Sequence, residues 1–379
     1  MNRPRILVVD DNAGQRRAVE RVLESAYDVD TACNGQEALT KAQPCAFDIA
    51  LVDIRMPGMD GLELLSHLKA NDRDLDVILM TGSASDGDSR LVRAVRGGAF
   101  YFVQKPFHRD VLLALVQRCM DLRRLRESEH AHTNQLATEL DAARRFQQHM
   151  LPAMSAAYPG VELAAIYEPS LELCGDFFEY EGIQRGMALL VADVAGKGAG
   201  AAMLTGMVKQ AFRSSEREAF QPAVVLQRAF DGCKIFTGER HLTACAARIR
   251  FTGNRLEVLG TYGHPPAYRI TPRGELTELP PTADTLHPAF DNWGFEQKTF
   301  EFNAGDCLIV FTDGLVESRR AGDNEQFGFE RVEAAIRSGP RDSASDLCKS
   351  IREALWTFQQ GRPPEDDLTI VVVRRTVGA

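Results

Sequence analysis

Four short apolar runs, each closed by a polar residue, constrain the fold of this chain more than any other feature. Ile6 to Val9 runs into Asp10-Asp11, Ile49 to Val52 into Asp53, Val77 to Met80 into Thr81, and Phe100 to Val103 into Gln104-Lys105-Pro106. Unbroken apolar runs of this length fit strands buried on both faces, hence a parallel sheet covered by helices. Helical patterns lie between them, in Leu62, Leu64, Leu65 and Leu68 and again in Val111, Leu112, Leu115 and Val116. Sheets of this kind bind ligands outside the carboxyl ends of their strands. Asp10, Asp11, Asp53, Thr81 and Lys105 all fall at such ends.

Each of those residues alone has a bland reading, since paired aspartates often mark a loop and Lys-Pro a turn. Five polar residues meeting at one edge are hard to obtain from solvation. Asp10 and Asp11 suit a Mg2+ ion, with Asp53 completing its oxygen ligands. Asp53 is also the best nucleophile for an incoming phosphoryl group, because carboxylates form aspartyl phosphates. Lys105 would offset the charge of that phosphate, and the Thr81 hydroxyl would donate a hydrogen bond to it.

A second set of carboxylates lies far downstream. Asp176 sits in Cys174-Gly175-Asp176-Phe177-Phe178, and Asp193 closes Leu189 to Ala192 and opens Val194-Ala195-Gly196-Lys197-Gly198-Ala199-Gly200. Asp313-Gly314 follows Ile309 to Thr312, and Asp366-Asp367 leads into the apolar run Leu368 to Val373. Carboxylates at strand ends are a framework for two Mg2+ or Mn2+ ions, which activate water and need no covalent nucleophile. No G-x-S-x-G surrounds Ser170 or Ser318, and Cys174 reads as a small core residue. The G-K-G-A-G stretch lacks P-loop spacing. His264, in Gly263-His264-Pro265-Pro266, reads as an exposed loop residue, either touching substrate or metal or purely structural.

The strand candidates here are 161–166, 187–191, 242–249, 256–259, 298–302, 307–311 and 368–373, with helical patterns over 199–213, 223–236 and 343–357. Many strands with clustered helices predict packed antiparallel sheets flanked by helices. Between the two halves, residues 110–149 contain neither Pro nor Gly and predict a helix, unbroken or with one break. Leu112, Leu115, Cys119, Leu122 and Leu125 form one apolar stripe, and Leu136, Leu140, Ala143, Phe146 and Met150 a second. These stripes suit a two-stranded coiled coil or a helix lying on the second domain.

Composition bounds the function. With 379 residues the chain is long enough for two domains, and 44% hydrophobic with 26% charged residues gives both a core. The net charge of -9 argues against nucleic acid and membrane surfaces as partners. No apolar run is long enough for a membrane span, and the start lacks signal-peptide architecture. Eight cysteines without a CxxC pair fit free thiols and a cytoplasmic location.

The first half resembles the receiver domain of bacterial two-component response regulators. It carries the acidic pair, the intact D-x-x-M-P-x-M-D-G stretch from Asp53 to Gly61, Thr81, and the K-P-F end at Lys105 to Phe107. The resemblance implies a doubly wound five-stranded parallel sheet, Mg2+, phosphorylation of Asp53 by a cognate histidine kinase, and a switch formed by Thr81, Phe102 and Lys105. The second half resembles the PPM-type (protein phosphatase 2C-like) serine phosphatases of bacterial stress-response and sporulation regulation. The matching stretches are Gly175-Asp176-Phe177, Asp193 to Met203, Gly263 to Pro266, Thr312-Asp313-Gly314 with Glu317, and Asp366 to Thr369.

That second resemblance implies an α/β/β/α antiparallel sandwich. Asp193 would bridge two metal ions, the Val194 carbonyl would bind one, Asp313 and Asp366 the other, with Asp176 direct or through water. It implies hydrolysis of phosphoserine or phosphothreonine on a protein, typically an anti-sigma-factor antagonist. The expected organisation is a receiver over residues 1–120, a helical linker over 121–155 and a phosphatase domain over 156–379, acting as a homodimer. Two alternatives are a catalytically weak scaffold under receiver control and a DNA-binding regulator. The second is disfavoured by the size of the C-terminal half and its lack of a basic recognition helix.

Overall fold

The computed structural model describes residues 3–82, 97–184, 186–196, 198–234, 242–250, 255–262, 264–282 and 297–376. The chain divides into two compact units, Met1–Gln135 and Leu136–Ala379.

The first unit is built on a parallel sheet of β1 (Arg5–Val9), β2 (Asp28–Ala32), β3 (Ile49–Asp53), β4 (Asp76–Thr81) and β5 (Tyr101–Gln104), in the order β2-β1-β3-β4-β5. Alternate residues of these strands enter two different cores. Leu7, Val9, Ala50, Val52, Val77 and Leu79 pack with Leu62, Leu65 and Leu68 of the helix Gly61–Asn71. Ile6, Val8, Ile49, Leu51, Ile78 and Met80 pack with Val19 and Leu23 of the helix Ala13–Leu23 and with Leu112 and Val116. Burial on both faces is why the runs are apolar without alternation. The Asn12 side chain accepts from the Gly14 and Gln15 amides, and Asp60 from those of Leu62 and Glu63, so each helix starts on a side-chain cap.

The helix that follows runs unbroken from Arg109 to Met150, as the absence of Pro and Gly predicts. Leu112, Val116, Cys119 and Met120 are buried, and Arg126 pairs with buried Asp76 at 2.7 Å. Beyond residue 123 every side chain up to His149 is exposed except Gln147. Leu125, Leu136, Leu140 and Phe146 are therefore apolar groups in water.

The second unit contains two antiparallel sheets. One is ordered β14-β11-β10-β9-β8, from β8 (Asp176–Ile183), β9 (Gly186–Val194), β10 (Leu242–Arg250), β11 (Arg255–Tyr262) and β14 (Gln297–Glu301). The other is β13-β12-β15-β16-β7-β6, from β6 (Ser155–Tyr158), β7 (Val161–Glu168), β12 (Ala267–Ile270), β13 (Leu276–Leu279), β15 (Cys307–Phe311) and β16 (Leu368–Arg375). Leu163, Phe178, Leu189, Val191, Val310 and Val371 form one core between the sheets. The helices Ala199–Ser214 and Pro222–Lys234 cover the first sheet, and Gly328–Ser338 and Ala344–Gln359 the second. The α/β/β/α sandwich expected from the sequence is present.

Five strands, β2, β6, β8, β12 and β13, escaped the sequence reading, and β8 matters most. Phe177 enters the helix-covered core and Phe178 the inter-sheet core, so adjacent aromatic residues are both buried and no alternation marks the strand. No helix among the described residues is long and apolar enough to cross a membrane.

Candidate functional site

Each unit gathers carboxylates at strand ends. In the first, a ligand oxygen from each of Asp10, Asp11 and Asp53 lies within 4.8 Å of the others. Asp10 is fully buried, Asp53 nearly so, and Asp11 is exposed. Lys105 Nζ reaches into this group, 2.6 Å from Asp10 Oδ2 and 3.0 Å from Asp53 Oδ1, and also donates to Gln15 Oε1 at 2.8 Å. The Asn12 amide donates to Asp10 Oδ1 at 2.8 Å, fixing the carboxylate from its other side. Three carboxylates against one ammonium leave an excess of negative charge, which suits a divalent cation. Burial raises the Asp53 pKa; Lys105 opposes that rise, and Asp10 and Asp11 add to it.

Thr81 ends β4 and is buried, and its carbonyl accepts from the Lys105 amide at 2.6 Å, so the strand end and the lysine are tied together. Phe102, the expected aromatic partner of that switch, is 40% exposed and stacks on Tyr101 with ring centroids 5.7 Å apart. A cavity of about 590 Å³ opens over Asp53 and Lys105, lined also by Gln15, Val19, Arg55 and Phe107.

In the second unit Asp176, the first residue of β8, stands directly opposite Asp193 on β9. Asp176 is also braced from the other sheet. The Thr312 hydroxyl donates to its Oδ2 at 2.6 Å and the Thr369 hydroxyl to the same atom at 2.7 Å. All three residues are buried. Burial and the neighbouring Asp193 carboxylate push the Asp176 pKa well above the usual range, while the two hydroxyls work against that rise.

Asp313 lies between β15 and the short helix Gly314–Glu317, and Asp366 just before β16, the strand paired with β15. Burial, then Asp366, then Glu317 push Asp313 up to about 6. Asp176 thus interacts with Asp193, and Asp313 with Asp366. Among the described residues, only the Asp10, Asp11 and Asp53 group brings three such ligand atoms together.

Gly175 shows what the Asp193 side of the site accommodates. A Cβ there would lie 2.6 Å from the Val194 carbonyl oxygen and 3.4 Å from Asp193 Oδ1. A side chain at this position would crowd both that carbonyl and that carboxylate, which glycine leaves side by side. A set of oxygen donors with an excess of carboxylate charge fits hard divalent cations. Asp367, unlike its neighbour Asp366, serves the framework. Its Oδ1 accepts from the Ser170 amide and hydroxyl at 2.8 and 2.9 Å, and its Oδ2 from the Gly175 amide at 2.8 Å.

Thr312, Thr369 and Gln147 were given no role by the sequence reading, and Ser170 was weighed only as a nucleophile. A hydroxyl in both Thr312-Asp313-Gly314 and Asp367-Leu368-Thr369 was the available signal. His264 corrects an expectation: it is 2% exposed, with Nδ1 3.0 Å from the Thr243 hydroxyl, so it belongs to the interior. It follows Gly263, which lies outside the described residues, and Pro265 and Pro266 seat it at the entry to β12.

Comparison with known proteins matches each unit separately. Residues 184–376 match the family Stage II sporulation protein E (SpoIIE), and residues 6–117 the response regulator receiver domain. The C4-dicarboxylate transport transcriptional regulatory protein DctD of Pseudomonas aeruginosa is 42% identical over 125 residues, 32% of this chain and 26% of that protein. FixJ of Bradyrhizobium diazoefficiens is 35% identical over 141 residues, 37% of this chain and 65% of that protein. The chain spans about a quarter of the length of the curated relatives it matches first. Among solved structures, the SiaA-PP2C domain of Pseudomonas aeruginosa superposes with a TM-score of 0.56 at 19% identity, over 64% of this chain and 98% of that one. The RsbU and RsbW domains of Rv1364c from Mycobacterium tuberculosis give 0.50 at 25% identity, over 60% of this chain and 63% of that one.

Proposed function

Because this chain belongs to the Stage II sporulation protein E family and carries a response-regulator receiver domain ahead of its PP2C-like domain, we propose that it is a receiver-controlled protein phosphatase. Its reaction would be hydrolysis of phosphoserine or phosphothreonine on a protein, an anti-sigma-factor antagonist by family resemblance. The observation that carries the reading is the placement of Asp176 opposite Asp193, with the Val194 carbonyl and Asp193 Oδ1 side by side against Gly175.

Asp193, Asp176 and the Val194 carbonyl would hold one side of a pair of Mn2+ or Mg2+ ions, and Asp313 and Asp366 the other. When bound, such ions neutralise phosphoryl charge and acidify water. The chain's own residues prepare that site. Thr312 and Thr369 orient Asp176, Asp367 holds the Gly175 amide in place, and Asp313 must give up its proton before it can ligate.

In the receiver, Asp53 would accept a phosphoryl group from a histidine kinase with Mg2+ held by Asp10 and Asp11, Lys105 neutralising the product. Leu136, Leu140 and Phe146, exposed on the connector, support a homodimer joined along this helix. A second reading is a scaffold that binds its partner without turnover. Dephosphorylation of a phosphoserine protein with Mn2+ separates the two. Wild-type protein should turn over and Asp193→Asn should lose nearly all activity while keeping its fold; a D193N protein with near wild-type turnover refutes the assignment.

A further inference from the structure

Asp176, Asp193 and Thr243 stand opposite one another on three adjacent strands, β8, β9 and β10. Directly opposed residues carry their side chains on one face of a sheet, so Thr243 continues the row that the two carboxylates begin. His264 extends the row, its Nδ1 3.0 Å from the Thr243 hydroxyl. The ring also meets the backbone of Phe311, which works against the fall that burial imposes on the imidazole pKa. Phe311 is the last residue of β15, in the other sheet, and Thr312 and Asp313 follow it. The imidazole therefore stands between the two sheets at the edge where the carboxylates lie.

Its Nε2 is buried and makes no hydrogen bond among the described residues. A buried polar atom left in this way costs stability. Leucine would fill the space without that cost, so stability alone does not account for an imidazole here. What leucine lacks is a nitrogen at the Thr243 contact and a flat ring of fixed width. Pro265 follows directly and confines the His264 backbone to extended conformations, so the ring is held from its own chain as well.

We propose that His264 is a positioning residue of the second unit, a strut between β10 and β15 that sets the spacing of Asp176 and Asp193 from Asp313 and Asp366. The proposal rests on the phosphatase reading above. Strand register holds Asp176 to Asp193, and the pairing of β15 with β16 holds Asp313 near Asp366. The distance between these two groups depends on what separates the sheets. At one end of the row the Thr312 and Thr369 hydroxyls draw the sheets together on Asp176; at the other end the imidazole keeps them apart. Two ions acting on one phosphoryl group need a separation of about 3.5–4 Å. An error in spacing therefore costs rate before it costs the uptake of either ion.

The test uses the full chain carrying Asp11→Asn, which disables the receiver's own cation site. Calorimetry counts the bound Mn2+ ions, and electron paramagnetic resonance reads the magnetic coupling between them. Hydrolysis of p-nitrophenyl phosphate is measured at saturating Mn2+, and folding by circular dichroism. His264→Leu fills the volume and removes the nitrogens; Thr243→Val removes the hydroxyl and leaves the imidazole. Both are expected to take up both ions yet lose the coupled spectrum of the wild type. Their kcat should fall roughly 10-fold or more, with KM for the ester little changed. Because the two substitutions cut one contact, the double variant is expected to be no worse than the worse single. A folded variant that keeps the wild-type spectrum and rate, or that no longer takes up both ions, overturns the strut while the phosphatase reading stands. Additive losses in the double variant, or a wild type without coupling, overturn it too. Should His264→Leu fail to fold, Thr243→Val, which keeps the core volume, decides by the same criteria. If the wild-type chain neither binds Mn2+ nor hydrolyses the ester, both readings fall.

Discussion

Thr369 donates its hydroxyl to Asp176 Oδ2 at 2.7 Å across the gap between two sheets. The bond joins the start of β16 to the start of β8, and Thr312, the residue after β15, repeats it at 2.6 Å. Replacing Thr369 by Val keeps the shape of the side chain and removes this bond alone. Loss of an outer-shell partner of this kind costs roughly 10–100-fold in metal affinity or activity. Thr369→Val is expected to fall in that range by Mn2+ titration of phosphatase activity, with its far-ultraviolet spectrum unchanged.

Asp53 is expected to be the sole phosphoacceptor of the receiver. Asp53→Ala should abolish labelling by a small phosphodonor in Mg2+, while Asp10 and Asp11 are required without being modified. Mass spectrometry of the labelled chain checks both statements, and phosphate on another aspartate would contradict the first.

His264 makes stability depend on pH. Burial pushes its imidazole down to about 3, from the ordinary 6.5 of an exposed histidine. Below 6.5 the unfolded chain takes up a proton that the fold refuses. The stability due to a neutral His264 is therefore complete above that pH and is lost progressively toward pH 3, by about 2 kcal/mol at pH 5. Asp313, pushed up instead, works in the opposite sense, so the comparison needed is with His264→Gln. Urea unfolding at pH 7 and pH 5 should show a drop in the wild type that exceeds that in H264Q by roughly this amount.

Insertion of two helical residues near Glu129 would turn the helix by about 200° between the two units. Regulation by receiver phosphorylation is expected to be lost or inverted, with basal activity retained. Sedimentation with and without a phosphoryl mimic tests the accompanying dimer. A chain that stays monomeric throughout and whose control survives the insertion contradicts coupling through this helix.

Most of the receiver was legible because its polar residues end apolar runs, and a parallel sheet brings the ends of neighbouring strands to one edge. Lys105 and Asp10 are 95 residues apart and form an ion pair at 2.6 Å, yet both stood out as strand-terminal polar residues. In the second unit β15 was read at its observed limits, whereas β8 was missed because Phe177 and Phe178 are buried on opposite faces. His264 was misplaced because a Gly-His-Pro-Pro stretch has the composition of an exposed loop while its burial depends on Thr243, another strand's residue. Gln147 could not have been found. A glutamine on a charged helix carries no mark of burial until the Cys174 peptide is brought against it.

The clasp of Asp367 on Gly175 and Ser170 joins positions 192 and 197 residues apart. Asp367 leads into β16, which is inserted between β15 and β7 in the middle of its sheet. During synthesis neither the clasp nor the hydroxyl brace from Thr369 exists until β16 has left the ribosome. Contacts of such sequence separation form late and slowly. The nascent chain can thus complete its receiver while the second unit still lacks these supports, a built-in delay between the birth of the first unit and that of the activity proposed for the second.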